Sequence, residues 1–173
     1  MASLDVFEVI KSRRSIRKYK PKEVEREKLM RILEAGRLAP SAANRQPWHF
    51  IVVTNPEIKE KLRESYSKDW FVKAPVIMVA CAEPSKAWVR VDGEECWKVD
   101  VAIAMQNMVL CAKEEGWGTC WIAAFDEQAA RNALGIPSDI RVVAMTPLGY
   151  PDDVKGEVHD RKPLEKILHF EHW

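Results

Sequence analysis

The sequence has almost no net charge. Its 27 Lys and Arg face 26 Asp and Glu over 173 residues, a formal balance of +1. Domains that coat nucleic acid carry a strong basic excess, so no nucleic-acid partner is expected. Long apolar runs are also missing: none approaches the ~20 residues that a membrane-spanning helix needs, and no membrane partner is expected. The opening "MASLDVFEVIKSRR" mixes acidic and basic residues around a short amphipathic stretch, without the order of a signal peptide. The four cysteines, Cys81, Cys96, Cys111 and Cys120, form no C-x-x-C pair and sit among mostly apolar residues. They read as free thiols, which suits a reducing cytosol, and a cytoplasmic location is expected.

Catalytic signatures are equally scarce. There is no G-x-G-x-x-G after a strand, no Walker loop, no G-x-S-x-G elbow and no H-E-x-x-H. His49, His159, His169 and His172 form no convincing ligand set, and the pair His169 and His172 reads as an exposed chain end, so no metal site is expected. Neither repeats nor low-complexity linkers divide the chain, so residues 1–173 are expected to form a single domain, long enough to bury roughly 70% of its unfolded surface.

What is present is a mixed set of elements. "LDVFEVIKSR" and "EVEREKLMRILEAGRLAP" have helical apolar spacing, the second closed by Pro40 with Gly36 loosening its last turn. "WHFIVVTN", "APVIMVACA", "TCWIAAF" and "IRVVAMTPLGYP" read as strands, and the second is apolar throughout, as a central buried strand would be. "PEIKEKLRESY" restarts as a helix with proline at its first position. "DEQAARNALGIP" is a helix with Asp126 as N-cap and Gly135 as terminator. Residues 97–115 are apolar nearly all round and predict a helix buried on most sides, while "EPSKAWVRVDGEE" reads as a polar excursion or lid. Helices and strands mix without regular alternation, which points to an α+β class.

Two segments could carry chemistry. In "RRSIRKYK", an extended backbone after the first helix would point Arg13, Ser15 and Arg17 one way and Arg14 and Ile16 the other. Two guanidiniums flanking a hydroxyl suit a phosphate or another multi-oxygen anion, although a solvated basic turn has the same composition. In "APSAANRQPWHF", two prolines bracket small residues, so backbone can approach a flat ligand. Asn44 and Gln46 add amides that both donate and accept, as a heterocycle's carbonyl and ring nitrogens require. Together the segments suit a nucleotide-like cofactor with a phosphate at one end and a polar ring at the other.

"FEVIKSRRSIRKYKPKEV…LMRILEAGRLAPSAANRQPWHFIVV" resembles the N-terminal half of the nitroreductase-like FMN-dependent oxidoreductases. The resemblance continues through "DVAIAMQNMVLCAKEEGWGTCWIAAFD", "PLGYP" and "HDRKPLEKIL", in order over nearly the whole chain. It implies an α/β sandwich with a mainly antiparallel central sheet flanked by helices, working as an intertwined homodimer with two FMN sites at the subunit interface. It also implies that electrons pass from NADH or NADPH through flavin N5 to a small-molecule acceptor such as a nitroaromatic or quinone, the two substrates using one pocket by turns. On that pattern Arg13 and Arg17, with Arg161 of the tail, resemble phosphate-binding residues, and Arg14 and Ser15 lie beside the ring and ribityl chain. Pro40, Ser41, Ala42, Asn44 and Gln46 match a "P-S-x-x-N-x-Q-P-W" loop partly donated by the other subunit. Ala123 and Ala124 fall where a strand-end backbone approaches N5, and Gly149 lies in the "PLGYP" turn near the cofactor.

The flavin carries the redox chemistry in such a protein, so no catalytic side chain is required. An arginine near the flavin's N1–C2 carbonyl side would stabilise the anionic reduced ring, a role given to Arg14. The resemblance also implies that the helix from Trp97 packs on its twin in the dimer. Trp70, Phe71 and Trp88 fall near the active-site mouth, where both substrate contact and core packing stay open. One departure is that some members carry Glu-Gly at the positions of Ala123-Ala124. Other outcomes within reach of the resemblance are a flavin-binding sensor or interaction protein with little turnover, and specialised chemistry such as reductive dehalogenation, although residues 83–96 match no dehalogenase lid.

Overall fold

A computed structural model describes residues 5–153 and 155–173. The helices are α1 (Val6–Ser12), α2 (Arg26–Arg37), α3 (Pro56–Lys61), α4 (Asp69–Val72), α5 (Trp97–Glu114) and α6 (Glu127–Leu134). The strands are β1 (Trp48–Val53), β2 (Val76–Ala82), β3 (Gly118–Thr119) and β4 (Arg141–Gly149), hydrogen-bonded in the order β1-β2-β4-β3 with every pair antiparallel.

β2 explains the layering. All seven of its residues are buried, and its side chains alternate between two cores. Val76, Met78, Ala80 and Ala82 face α2 and α5, where Ile32, Ala104, Met105 and Met108 complete the packing. Ile77, Val79 and Cys81 face the opposite side, against Leu62, Phe71 and Ala130. Full burial of a side chain such as Ile77 contributes about 1.5–3 kcal/mol, so a strand packed on both faces anchors the sandwich. This is the α+β class that the element pattern predicts and the sandwich with an antiparallel sheet that the family resemblance implies.

Several local expectations hold for the expected reasons. Asp126 caps α6 by accepting from Ala129 N at 2.9 Å, and Gly135 ends it in a left-handed conformation at φ 64°. Pro56 opens α3, and the Asn55 side chain accepts from Glu57 N at 2.8 Å. Other features differ. Gly36 does not loosen α2: a Cβ there would lie 2.7 Å from Met108 Sδ, so the glycine is what lets α2 approach α5. The strand predicted over 119–125 shrinks to β3 and one bridge, Ile122 to Met145, because Cys120 N donates to the Thr146 hydroxyl instead of continuing the ladder. The single turn α4 has no signal in the sequence pattern, and the helix from Pro56 tightens to a 3₁₀ turn over Leu62–Glu64. Residues 83–96 form a short excursion folded on itself, with a Val89–Glu95 bridge and an Arg90–Asp92 ion pair.

α5 is covered on one side only. Val101, Ala104, Met105 and Met108 are fully buried, whereas Val99 is 57% exposed and Ile103 37%. Beside it, Val6, Val9, Ala35, Leu38, Leu110 and Cys111 line an open groove of about 620 Å³. The tail from 161 to 173 is exposed throughout and includes Leu164, Ile167 and Phe170.

Candidate functional site

The basic segment is fixed through its backbone. Ser15 forms a parallel bridge with Thr119, and Ile16 N donates to Thr119 O at 2.8 Å, which extends the sheet beyond β3. Ile16 turns inward over Gly118, where a Cβ would sit only 2.6 Å from Ile16 Cγ1. The Tyr19 hydroxyl donates to Ile16 O at 2.7 Å, and burial raises the phenol's pKa, so the donor keeps its proton. Lys155 Nζ donates to Ser15 O at 2.8 Å.

The side chains are not distributed as the alternation predicts. Arg14 and Ile16 share a face, as expected, but Arg13 joins them, because it is the C-cap of α1 and precedes the extended run. Arg13, Arg14, Lys113, Trp117 and Lys155 line one cavity of about 230 Å³. Its acidic wall residue, Asp153, is paired with Lys155 at 3.3 Å, so positive charge is in excess. The buried Trp117 Nε1 has no acceptor among the described residues. Arg17 sits apart, its guanidinium 6.0 Å from the Trp70 ring. Arg13 and Arg17 have no carboxylate partner among the described residues, in contrast to Arg141, which chelates Glu127, and Arg37, which chelates Glu34. Arg14 donates to Gly156 O.

The loop between α2 and β1 is held by different means. Ala43, Asn44 and Gln46 all have positive φ, at 49°, 53° and 50°. A left-handed conformation costs about 1–2 kcal/mol for an ordinary residue and less for asparagine, so this conformation needs support. Ser41 Oγ accepts from Gln46 N at 2.9 Å, and the Gln46 amide donates to both the carbonyl and the side-chain oxygen of Asn44 at 3.2 Å. Ala42 N donates to Asp100 Oδ1 of α5 at 2.9 Å. Pro40, Asn44 and Gln46 are exposed, and Ser41 and Ala42 half-buried.

Within one chain the two segments are far apart. The loop enters β1 at Trp48, which is level with Ala82 and Arg141, whereas Ser15 and Thr119 are level with Leu148. That separation is four strand spacings across, roughly 19 Å, and seven residues along β4, roughly 24 Å. α5 runs between the same corners: Asp100 holds the loop near its first turn, and Gly118 follows its C-terminal end.

A sequence profile of the Nitroreductase family matches residues 10–82 and 65–150. The chain belongs to the nitroreductase family. A provisional NADH dehydrogenase/NAD(P)H nitroreductase of Methanothermobacter thermautotrophicus is 37% identical, with 100% of this chain and 90% of that protein covered. A crystal structure of a nitroreductase family protein from Clostridium novyi NT is 40% identical, with 87% of each chain covered and a TM-score of 0.82. An FMN-dependent nitroreductase from Clostridium difficile R20291 is 34% identical, with 95% of this chain and 98% of that one covered and a TM-score of 0.84.

Of the residues that the family resemblance marks, Arg13, Arg14, Ser15 and Arg17 share one sheet edge with Ala123 and Ala124, which are exposed just past the Ile122–Met145 bridge. Gly149 pairs with Gly118 at that edge but faces inward, where a Cβ would meet Pro75 Cδ at 2.8 Å and Tyr19 Cδ1 at 3.3 Å. Arg161 is exposed in the tail and donates to Asp160 O. Phe71 is core, Trp70 is half-buried edge-on to Tyr66 and Phe71, and Trp88 is half-buried in the 83–96 excursion. Lys113, Trp117, Lys155 and Asp100 escaped sequence reasoning. Only Asp100 left a signal, a carboxylate inside the apolar run "WKVDVAIAM".

Among the described residues no helix is long and apolar enough to cross a membrane, and no group of three or more His, Cys, Asp or Glu side chains is placed to hold a metal ion.

Proposed function

We propose that this chain is an FMN-dependent NAD(P)H oxidoreductase, a cytoplasmic homodimer that passes electrons from a nicotinamide donor to a small acceptor such as a nitroaromatic or a quinone in a ping-pong cycle. The observation that carries this reading is the pairing of unmatched guanidiniums with a strained, amide-bearing loop at opposite corners of one sheet. The donor set fits flavin mononucleotide: cations without carboxylate partners among the described residues for its phosphate, and amides that donate and accept for its ring edge.

The corner-to-corner separation supports a dimer, because one small cofactor reaches both segments only if two chains supply them. The half-covered α5, the mostly apolar groove beside it and the exposed apolar side chains of the tail, Leu164, Ile167 and Phe170, offer surface for such an interface. The family pattern assigns the phosphate to Arg13, Arg17 and Arg161, of which only Arg13 lines the basic cavity in this chain, and it assigns Ser15 to the ribityl chain. From the partner, the 40–46 loop presents Asn44 and Gln46 to the ring edge. Arg14 uses one of its five N–H donors on Gly156 O and keeps the others for negative charge at the ring's N1–C2 side. Ala123 and Ala124, carrying no polar side chain, leave the backbone to meet the N5 side. When bound, the flavin supplies the hydride-accepting and hydride-donating ring, so the chain's own task is to bind, orient and exclude water.

Purified protein should be yellow, with about one FMN per chain, and anaerobic NADH or NADPH should bleach the flavin absorbance, which a nitroaromatic or quinone then restores. A colourless protein that takes up no added FMN would contradict the reading. Tight FMN binding without turnover on any acceptor would favour a sensor instead.

A further inference from the structure

Asp100 is the only buried carboxylate among the described residues, with 2% of its surface exposed. Oδ1 accepts the Ala42 N–H at 2.9 Å, whereas Oδ2 is enclosed and has no donor among the described residues. A carboxylate is costly to bury, and here half of its accepting capacity is idle. Helix capping does not account for it, because Cys96 is the N-cap of α5 and the single Asp100 hydrogen bond leaves the helix for the loop. The loop's other bonds, Gln46 N to Ser41 Oγ and the Gln46 amide to Asn44, stay inside residues 41–46. Asp100 is therefore the side chain that ties this strained loop to the helical layer.

We propose that Asp100 is a positioning residue: its carboxylate fixes Ala42 and so holds Asn44 and Gln46 in place for the flavin ring edge. This rests on reading the 40–46 loop as the ring site. Because Oδ2 is idle, an acceptor oxygen rather than a negative charge is what the loop needs. Asp100→Asn keeps such an oxygen and Asp100→Ala removes it.

The test compares full-length wild type, Asp100→Asn and Asp100→Ala by two readouts: hydrogen exchange of the Ala42 amide without FMN, and the FMN dissociation constant from flavin fluorescence. Asp100→Ala should speed Ala42 exchange and weaken FMN binding, each about tenfold or more, while the β2 amides stay protected. Asp100→Asn should stay within about threefold of wild type on both. If Asp100→Ala does not fold, Ala42→Pro removes the N–H from the other side of the bond, at the first position of a 3₁₀ turn where proline is tolerated, and should weaken FMN to the same degree. Wild type that binds no FMN defeats the flavin reading and this inference with it. Wild type that binds FMN while Asp100→Ala binds equally well overturns the inference alone. So does a parallel loss of protection across the whole sheet in both variants, which would mark Asp100 as a general stability residue.

Discussion

Residues 13–17 and residues 41–46 present polar groups at opposite corners of one sheet, and they are secured in opposite ways. In the first segment the backbone is fixed by the sheet, with Ser15 bridged to Thr119 and Ile16 seated over Gly118, while Arg13 and Arg17 have no carboxylate partner among the described residues. In the second the side chains brace one another and the loop backbone, which carries the strain at three non-glycine positions with positive φ. The first is built to attract charge and tolerates some slack. The second is built to orient a planar edge and depends on being held still.

Removing the attraction should have the largest effect. Arg13→Ala with Arg17→Ala deletes two charge-assisted contacts of about 1.5–3 kcal/mol each, so FMN affinity should fall about a hundredfold or more. Fluorescence titration at low and high salt checks this, because the double variant should also lose most of the salt dependence seen in wild type. Moving the same segment without touching its charges should cost less. Gly118→Ala places a Cβ against Ile16 and should destabilise the fold by about 1–3 kcal/mol in urea unfolding, while weakening FMN less than the double arginine variant does. The smallest change comes from relaxing the loop. Ala43→Gly removes a left-handed penalty and should stabilise the protein by about 0.5–1 kcal/mol, after glycine's entropic cost, with FMN affinity nearly unchanged. A large loss of affinity in that variant would mean that Ala43 packs on the ligand and does not merely hold the backbone.

The parts of the fold legible in the sequence were those governed by local chemistry. The apolar run of β2, the Asp126 and Gly135 punctuation of α6 and the proline start of α3 each follow from a few neighbouring residues. What the sequence did not disclose depends on partners distant in the chain. The Thr146 hydroxyl takes Cys120 N and cuts the third strand short, and Met108 gives Gly36 its purpose. The site divides in the same way. Arg13, Arg17, Asn44 and Gln46 stand out by residue type and by resemblance to the nitroreductases. Lys113, Lys155 and Trp117 become neighbours of Arg13 and Arg14 only through folding. The separation of the two segments was legible only as an implication of the family, since no periodicity records which sheet edge a loop will reach.

The most direct test of a site shared between two chains is complementation. Chains carrying Arg13→Ala and Arg17→Ala are co-expressed with chains carrying Asn44→Ala and Gln46→Ala, and the mixed dimers are isolated by two different affinity tags. If each site takes residues 13–17 from one chain and the loop from the other, a mixed dimer has one intact site and one doubly damaged site. It should then bind about one FMN per dimer with wild-type affinity, although neither variant alone binds tightly. If one chain supplied both segments, every site in the mixed dimer would be damaged, and no tight FMN binding would return.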